Sequence, residues 1–237
     1  NTGLQSDRRP ALVAYREIMN NQTLDYAHDT NLLPELEAGT YPIHIYNIPD
    51  KISITGTTAS VATTNNQVAP LPGWLFTAVT EATYADFKEE TITAVMQQQI
   101  RQLNIELTVT KGNPERMASI TATLTGIANS LDYKTNAHSG TNLSVAPVFT
   151  RNGNKLNATA HLLGTVNEAQ LLTLDITFTD GRTQRLESNV SSLLSGFNTN
   201  KHVPLNISAD LNTPVETGFS ATITGWKIAG NSNAVAS

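Results

Sequence analysis

The chain repeats an alternation of apolar and polar residues, which is clearest in residues 101–110. There every second residue is Leu, Ile or Val, with Asn, Glu or Thr between them. Successive side chains of a strand point to opposite faces, so this pattern predicts a strand with one apolar face and one wet face. The pattern returns at residues 172–179, 205–211 and 219–225. We therefore predict an all-β protein whose polar strand faces form its outer, solvent-exposed surface.

Short turn signals separate the alternating segments of the second half. Asn-Gly at 152–153 and Asp-Gly at 180–181 each stand between two alternating runs, which predicts two hairpins. A short helix is predicted at residues 190–196, with Ser188 or Asn189 as its cap. Counted together, about seven strands at regular spacing favour a Greek-key sandwich.

The first half is less regular. Residues 11–19 fit a strand or a short helix, and residues 81–90 fit a helical turn or an exposed loop. A loop is predicted at residues 69–73, because two prolines and a glycine prevent regular pairing. Strands are predicted at 41–47, 74–79 and 91–96, with a hairpin across Gly56 between 51–55 and 59–62.

The strand pattern at 91–96 runs into that at 101–110 with almost no turn signal between them. This favours a chain passing from one sheet system into another, and we predict a domain boundary near Gln98. The two domains would be residues 1–98 and 99–237. The small, polar tail at 230–237 is expected to be loose.

Composition excludes several classes of protein. Charged residues make up 15% of the chain and the net charge is -5. The one basic pair is Arg8 and Arg9, so nucleic acid is not an expected partner. The absence of cysteine excludes disulfides, a thiol nucleophile and Cys-ligated zinc.

No apolar run reaches the roughly 18 residues that cross a bilayer. The chain begins at Asn1 rather than Met. We expect this to be a processed or trimmed start, with any export signal or lipid attachment upstream.

Reactive side chains are scattered along the sequence. The histidines show no metal-ligand spacing and are predicted to be structural; they are His28, His44, His138, His161 and His202. Asp132 and Asp180 are isolated carboxylates, and Asp180 is better explained by its turn. Nucleophile elbows and glycine-rich phosphate loops are missing from the sequence. We therefore predict no catalytic, cofactor-binding or metal-binding residues.

The two tryptophans are the candidate contact residues. Trp74 follows Pro-Gly and precedes Leu75 and Phe76, so a buried anchor at a strand start is favoured over an exposed contact. Trp226 is out of phase with Ala221 and Ile223 and would point to the opposite face, unless Gly225 marks a bulge. Exposed aromatic rings on a β face can stack on sugars, which keeps a carbohydrate-binding surface protein as an alternative.

Several short segments, in this order, resemble the fimbrillin-like proteins of Bacteroides-type bacteria. They are residues 36–41, 45–47, 72–77, 96–103, 119–126, 178–182 and 221–226. Similarity extends from about Leu33 onward and is greatest to the minor, anchor-associated fimbrial subunits.

This resemblance implies two tandem transthyretin-like Greek-key β-sandwich domains and no enzymatic activity. It also implies a cell-surface fimbrial subunit that contributes to adhesion. Such a subunit would join other fimbrial subunits by strand addition, in which backbone hydrogen bonds supply affinity. Host or bacterial surface ligands would be further partners, and a lipid anchor on the missing N-terminus would be the link to the outer membrane.

Main pilus subunits of the family are cleaved after an arginine near the first strand. The early candidates here are Arg8, Arg9 and Arg16, and Arg9 precedes Pro10, which makes a poor cleavage site. This difference favours an anchor or accessory subunit. A glycosidase-like enzyme with a latent pair of carboxylates is the third and least favoured alternative.

Overall fold

A computed structural model describes residues 14–19, 22–27, 39–47, 49–84, 93–214 and 220–230. Nearly all regular structure in these residues is β, which confirms the predicted class. The first nine strands are β1 (Ala14–Met19), β2 (Gln22–Ala27), β3 (Gly39–Tyr46), β4 (Ile52–Thr55), β5 (Thr58–Val61), β6 (Thr63–Thr64), β7 (Gln67–Val68), β8 (Phe76–Tyr84) and β9 (Gln97–Gln98).

Eleven further strands follow along the chain. They are β10 (Arg101–Lys111), β11 (Met117–Thr125), β12 (Ser130–Asp132), β13 (Ala137–Ser139), β14 (Ser144–Val145), β15 (Thr150–Asn152), β16 (Lys155–Leu162), β17 (Leu171–Phe178), β18 (Thr183–Asn189), β19 (Leu205–Asn212) and β20 (Thr222–Ile228). One turn of 3₁₀ helix covers Pro114–Arg116, and helix α1 covers Ser191–Leu194.

The chain forms two compact units, and each is discontinuous in sequence. The smaller unit comprises residues 1–46 and 77–96, and the larger comprises residues 47–76 and 97–237. In the smaller unit β1 pairs with β2, and β3 pairs with β8, both antiparallel.

The larger unit is a β-sandwich with two long sheets. The five-stranded sheet has the order β15-β16-β10-β19-β20, and the six-stranded sheet has the order β18-β17-β11-β14-β7-β6. Strands β10 and β19 run parallel, whereas β10 and β16 run antiparallel. A four-stranded sheet of order β13-β12-β5-β4 completes the unit.

The core of the sandwich is made by the apolar positions that the alternation predicted. On β10 the residues Leu103, Ile105 and Leu107 are fully buried, and the residues between them are half-buried on the other face. Arg101 has the same phase as these leucines and is buried too. Its guanidinium donates to four loop carbonyls, those of Gly196, Phe197, Thr199 and Val203.

The predicted turns are found where the local signals placed them. Strands β4 and β5 form the hairpin across Gly56, which has φ +59°. The Asn-Gly hairpin joins β15 to β16, and the Asp-Gly hairpin joins β17 to β18. Helix α1 lies within the predicted 190–196, and Asn189 Oδ1 accepts from the Ser191 amide at 3.0 Å.

Three local predictions need correction. No strand covers residues 93–96 of the predicted strand 91–96, and a two-residue strand follows at Gln97–Gln98 instead. Strand β8 begins at Phe76 rather than Trp74, because the prolines and Gly73 keep the preceding backbone irregular. Residues 81–84 continue β8, although their charge favoured a turn or a loop.

Other predictions fall partly or wholly outside the described residues. Residues 14–19 form a strand, while residues 11–13, 85–90 and 231–237 are not described. The first part of the final predicted strand, at 215–219, is also outside, and β20 begins at Thr222.

The segment 47–76 pairs with strands of the second half of the sequence. Strand β5 pairs with β12, and β7 pairs with β14. One crossing between the compact units falls between Met96 and Gln97, close to the boundary predicted at Gln98. The assignment of residues 1–98 and 99–237 to two domains stays a prediction.

Candidate functional site

One side of the sandwich is bordered by the edge strands β18 and β20. Each is the last strand of its sheet, and within the described residues no further strand pairs with the outer edge of either. The Ala221 amide donates to Gln184 Oε1 at 2.6 Å, which links the start of β20 to β18. The two unpaired edges therefore border the same side of the larger unit, which we call the open side.

A β-bulge interrupts β20. Lys227 pairs with Ser208 and Thr224 pairs with Asp210, so Ala209 alone lies opposite two residues of β20. Gly225, one of those two, has φ +68°, a conformation that glycine adopts without strain. An extra residue with a positive φ glycine is the signature of a bulge.

The bulge decides which way Trp226 points. Cross-strand partners share a face, and Ile223 pairs with Leu211 while Ile228 pairs with Ile207. Leu211 and Ile207 belong to the buried face of β19, so both isoleucines of β20 point inward. Trp226, two residues before Ile228, shares that inward face. A regular strand would have placed Trp226 on the face opposite to Ile223, as predicted. The structure instead shows the alternative, a bulge at Gly225.

The inward face of β20 is incompletely covered. Ile228 is 56% exposed, although its partner Ile207 is 1% exposed. Trp226 is half-buried, and its indole Nε1 is shielded from solvent without a hydrogen-bond acceptor in the described part of the chain. Ile228 was not predicted as part of this face. It lies five residues after Ile223, and residues at an odd spacing share a face only where a bulge intervenes.

Trp74 lies elsewhere, on a loop of the larger unit. It is 38% exposed, so the expectation of a buried anchor is wrong, and the adjacent Leu75 is the buried residue. Its ring packs on His161 with 4.3 Å between centroids and 41° between planes. Asn47 holds the backbone here, because its side chain donates to the Trp74 carbonyl and accepts from the Phe76 amide, each at 2.7 Å.

His161 fastens the same loop to β16. Its backbone amide donates to the Pro70 carbonyl at 2.9 Å, and its Nδ1 donates to the Pro72 carbonyl at 3.1 Å. His161 and His44 both lie on strands, as predicted. The imidazole of His161 thus has a structural role under the indole of Trp74.

A row of uncharged side chains crosses the outer face of the five-stranded sheet next to His161. Asn104 Oδ1 accepts from Gln102 Nε2 at 2.8 Å and from Thr159 Oγ1 at 2.9 Å. The Asn104 amide donates to Asn206 Oδ1 at 2.7 Å. Gln102 is the register partner of His161, so the row begins beside the Trp74 loop.

A buried polar cluster lies inside the larger unit. Lys201 is buried and its Nζ donates to His138 Nε2 at 3.0 Å and to Gln99 Oε1 at 3.4 Å. Burial, and secondarily the Lys201 charge, lowers the pKa of His138 to about 4. Burial also lowers the pKa of Lys201 to about 8. At neutral pH His138 is therefore an uncharged acceptor that holds the lysine in place.

The isolated carboxylates have structural partners. Asp180 accepts hydrogen bonds from Arg182 and Arg116, and the bond to Arg182 is the main cause that lowers the pKa of Asp180 to about 2. Asp132 Oδ1 accepts from the Lys134 amide at 3.0 Å. Within the described ranges no group of three or more His, Asp or Glu is arranged to hold a metal ion. No helix in the same ranges is long and apolar enough to cross a membrane.

Asp132, Asp180, His138 and His161 are thus all engaged in structural hydrogen bonds. A family model described as fimbrillin-A associated anchor proteins Mfa1 and Mfa2 matches residues 12–232. The chain belongs to this family of fimbrial anchor proteins. It is accordingly a fimbrial subunit of the accessory type involved in adhesion, and the family indicates a cell-surface location.

Solved structures share the fold at low sequence identity. The fimbrial anchor protein Mfa2 from Porphyromonas gingivalis is 14% identical, with a TM-score of 0.53, over 93% of this chain and 90% of that chain. A candidate adhesin from Bacteroides ovatus is 14% identical, with a TM-score of 0.56, over 89% and 85% of the two chains. A second candidate adhesin from Bacteroides ovatus is 11% identical, with a TM-score of 0.54, over 91% and 81%. No curated protein sequence matches the chain.

Proposed function

We propose that this fimbrial subunit receives a strand from another fimbrial subunit at the open side between β18 and β20. The observation that carries the proposal is Ile228, an inward-pointing residue of an edge strand that is 56% exposed. An added strand would extend the five-stranded sheet and cover this side chain. Burial of apolar area and new backbone hydrogen bonds would then stabilise the complex together.

The backbone of β20 is oriented for such pairing. The Ala229 amide donates to the Asn206 carbonyl at 2.9 Å, toward β19. Successive amides of an antiparallel strand point to opposite sides, so the Ile228 amide points away from β19 toward the open side. An incoming strand would find both a backbone donor and an uncovered apolar surface at this position.

The opposite border of the open side has the same character. Strand β18 alternates exposed with half-buried residues, and Leu186 pairs with the fully buried Leu174. Leu186 therefore points inward but is only half-buried on its edge strand. Both borders present inward apolar side chains to the same side, which supports a single added strand.

The proposal includes the finer features that the family resemblance implies. These are two tandem transthyretin-like sandwich domains and attachment to the outer membrane through a lipid anchor outside this sequence. Membership of the fimbrial anchor family supports these features. The function we propose is non-enzymatic.

The test is a substitution that blocks the open side. Ile228→Asp puts a carboxylate on the inward face of the edge strand, which is a device that prevents edge pairing. Tagged chain is produced in cells that assemble the fimbriae, and fimbrial subunits that co-purify after dilution are quantified. We expect the wild type to retain a subunit and Ile228→Asp to lose it.

Val148→Asp is the matched control, because it also replaces an exposed apolar residue, 72% exposed, outside the strands. It should retain the partner as the wild type does. Equal co-purification of Ile228→Asp and wild type would refute strand addition at this side. Strand addition would also be refuted if Ile228→Pro, which removes the amide that points to the open side, leaves the complex intact.

A further inference from the structure

We propose that the outer face of the five-stranded sheet, at its Trp74 end, binds a neutral glycan chain. This face, called the Trp74 face, consists of Trp74, His161, Gln102, Asn104, Thr159 and Asn206. It is a second binding activity, separate from strand addition, and it lies on a different surface of the same unit.

The indole of Trp74 is exposed to solvent on a firmly held loop. A side chain of this size is usually largely buried, and 38% exposure on an irregular loop leaves an apolar ring in contact with water. The loop is nevertheless tightly held, by Asn47 on one side and by His161 on the other. Gly73 permits this packing, because a Cβ there would lie 2.9 Å from the Asp50 amide nitrogen.

A ring fixed in this way is a preorganised platform. His161 lies against it at 4.3 Å, so the backing is provided by the protein and little ordering is required when a ligand stacks on the indole. A pyranose ring suits such a platform. The apolar CH groups on one of its faces can stack on the indole, while its hydroxyls meet polar groups and water.

The polar row beside the Trp74 ring has hydrogen-bonding groups that suit a sugar. Gln102, Asn104 and Asn206 are amides, and Thr159 is a hydroxyl. Amides and hydroxyls both donate and accept, which matches the hydroxyls of a sugar, because each of these also donates and accepts. The mutual hydrogen bonds of 2.7–2.9 Å hold the side chains in one arrangement.

The distribution of charge around the Trp74 face favours a neutral ligand. None of the six residues carries a permanent charge. The next outward-facing position along β10 is Glu106, and its carboxylate is paired with Lys155 Nζ at 3.0 Å. An anionic polysaccharide would meet this carboxylate, and the nearby cation is already paired with it. A neutral glycan would meet no repulsion.

The two surfaces can act independently. The Trp74 face is formed by Trp74 on its loop and by side chains that point outward from β16, β10 and β19. Ile228, in contrast, points inward from the edge strand β20. A variant that blocks strand addition should therefore keep glycan binding. Ile228→Asp makes failure of one proposal distinguishable from failure of the other.

The experiment is affinity electrophoresis of the full chain through native gels. Separate gels contain glucomannan, yeast mannan, xyloglucan, laminarin or dextran, and an anionic gel contains polygalacturonate. We expect at least one neutral polysaccharide to retard the wild type and polygalacturonate not to retard it. Trp74→Ala should weaken binding about tenfold or more, and Trp74→Phe should weaken it less.

Two further variants distinguish loss of glycan binding from loss of folding. Thr159→Val preserves side-chain shape on an exposed strand position and removes one hydroxyl, and it should weaken binding several-fold. Asn212→Ala is the matched control, since this amide lies on the same sheet, and bonds Thr110 and Thr222 instead. It should bind as the wild type does.

The proposal is overturned if no neutral polysaccharide retards the wild type. It is equally overturned if Trp74→Phe and Thr159→Val are both retarded as strongly as the wild type, or if Asn212→Ala loses as much binding as they do. Retardation by polygalacturonate alone would contradict the selection of a neutral ligand.

Discussion

Strands β10 and β20 belong to the same sheet and have the same kind of sequence, yet their apolar faces differ. On β10 the inward apolar residues Leu103 to Val109 are all buried. On β20 the inward residues Ile223 and Trp226 are half-buried, and Ile228 is mostly exposed. The difference follows from neighbours, because β10 lies between β16 and β19 whereas β20 pairs only with β19 in the described residues.

An alternating pattern does not by itself specify whether a strand is buried. Alternation determines that one face is apolar, but the position of the strand decides whether that face is covered. An edge strand with a central-strand pattern leaves apolar area for a further strand to cover.

The largest effect is expected in the centre of the sheet. Leu107→Ala should lower the free energy of unfolding by about 2–5 kcal/mol, because it leaves a cavity at a fully buried site. Urea denaturation followed by circular dichroism measures this. Thr108→Ala, on the outer face of the same strand, should change stability by no more than about 0.5 kcal/mol. A small effect of Leu107→Ala would mean that β10 is not the packed centre.

The folded chain should also lose stability in acid, because of the partly buried His138. The pKa of His138 is lowered from 6.5 to about 4 in the folded chain, so the unfolded chain binds a proton first as the pH falls. Stability should be nearly constant between pH 6.5 and 8, below the range in which the lowered pKa of Lys201 adds a pH dependence. Between pH 6.5 and 4 it should decline by about 2 kcal/mol after allowance for partial exposure. Thermal melts across this range measure the decline.

Lys201→Met provides the control for this pH dependence. Removal of the neighbouring charge should raise the pKa of His138 toward its usual value. The decline between pH 6.5 and 5 should then be smaller than in the wild type. An unchanged pH profile would show that His138 and Lys201 are not coupled as their 3.0 Å contact indicates.

The bulge in β20 should be sensitive to loss of its glycine. Gly225→Ala has space, since the nearest atom to a new Cβ is Asp210 Oδ2 at 3.7 Å, but the φ of +68° costs about 1–2 kcal/mol for a residue with a Cβ. In a Trp74→Phe background, Trp226 is the single tryptophan and its emission should shift to longer wavelength. Gly153→Ala, with φ +59° in a hairpin turn, should destabilise without such a shift.

The smallest effect is expected at the uncovered end of β20. Ile228→Ala should lower the stability of the isolated chain by about 0.5 kcal/mol or less, because most of its surface is already in water. Urea denaturation of the purified chain measures this. A loss as large as that of Leu107→Ala would show that the inward face of β20 is already covered, and would remove the contrast between the two strands.

Much of the local structure could be predicted from the sequence. The alternation predicted β10 and β17, and the Asn-Gly and Asp-Gly turns predicted the hairpins that precede β16 and β18. The strand predicted at 91–96 is absent from residues 93–96, because a short alternating run lacks the pairing partner that would make it a strand.

Less of the candidate sites could be predicted. Trp74 was identified as a candidate contact, but its burial was predicted wrongly, since its exposure depends on Asn47 and on His161, nearly ninety residues away in the chain. The polar row needs Asn104 beside Asn206, which lie on parallel strands. Parallel strands are not joined by a short turn, so no local sequence signal indicates that they pair.

The amino-acid sequence alone specifies an all-β chain whose strands have one apolar and one polar face, joined in places by hairpin turns, with reactive side chains scattered along it. These properties are local, since the period of two and the turn residues act within a few positions. Which strands are central and which are edges depends on the folded structure, and so does the bulge that turns Trp226 inward. Strand pairing joins residues a hundred positions apart, such as Leu103 and Leu205, and depends on the packing of the whole sandwich rather than on any single segment.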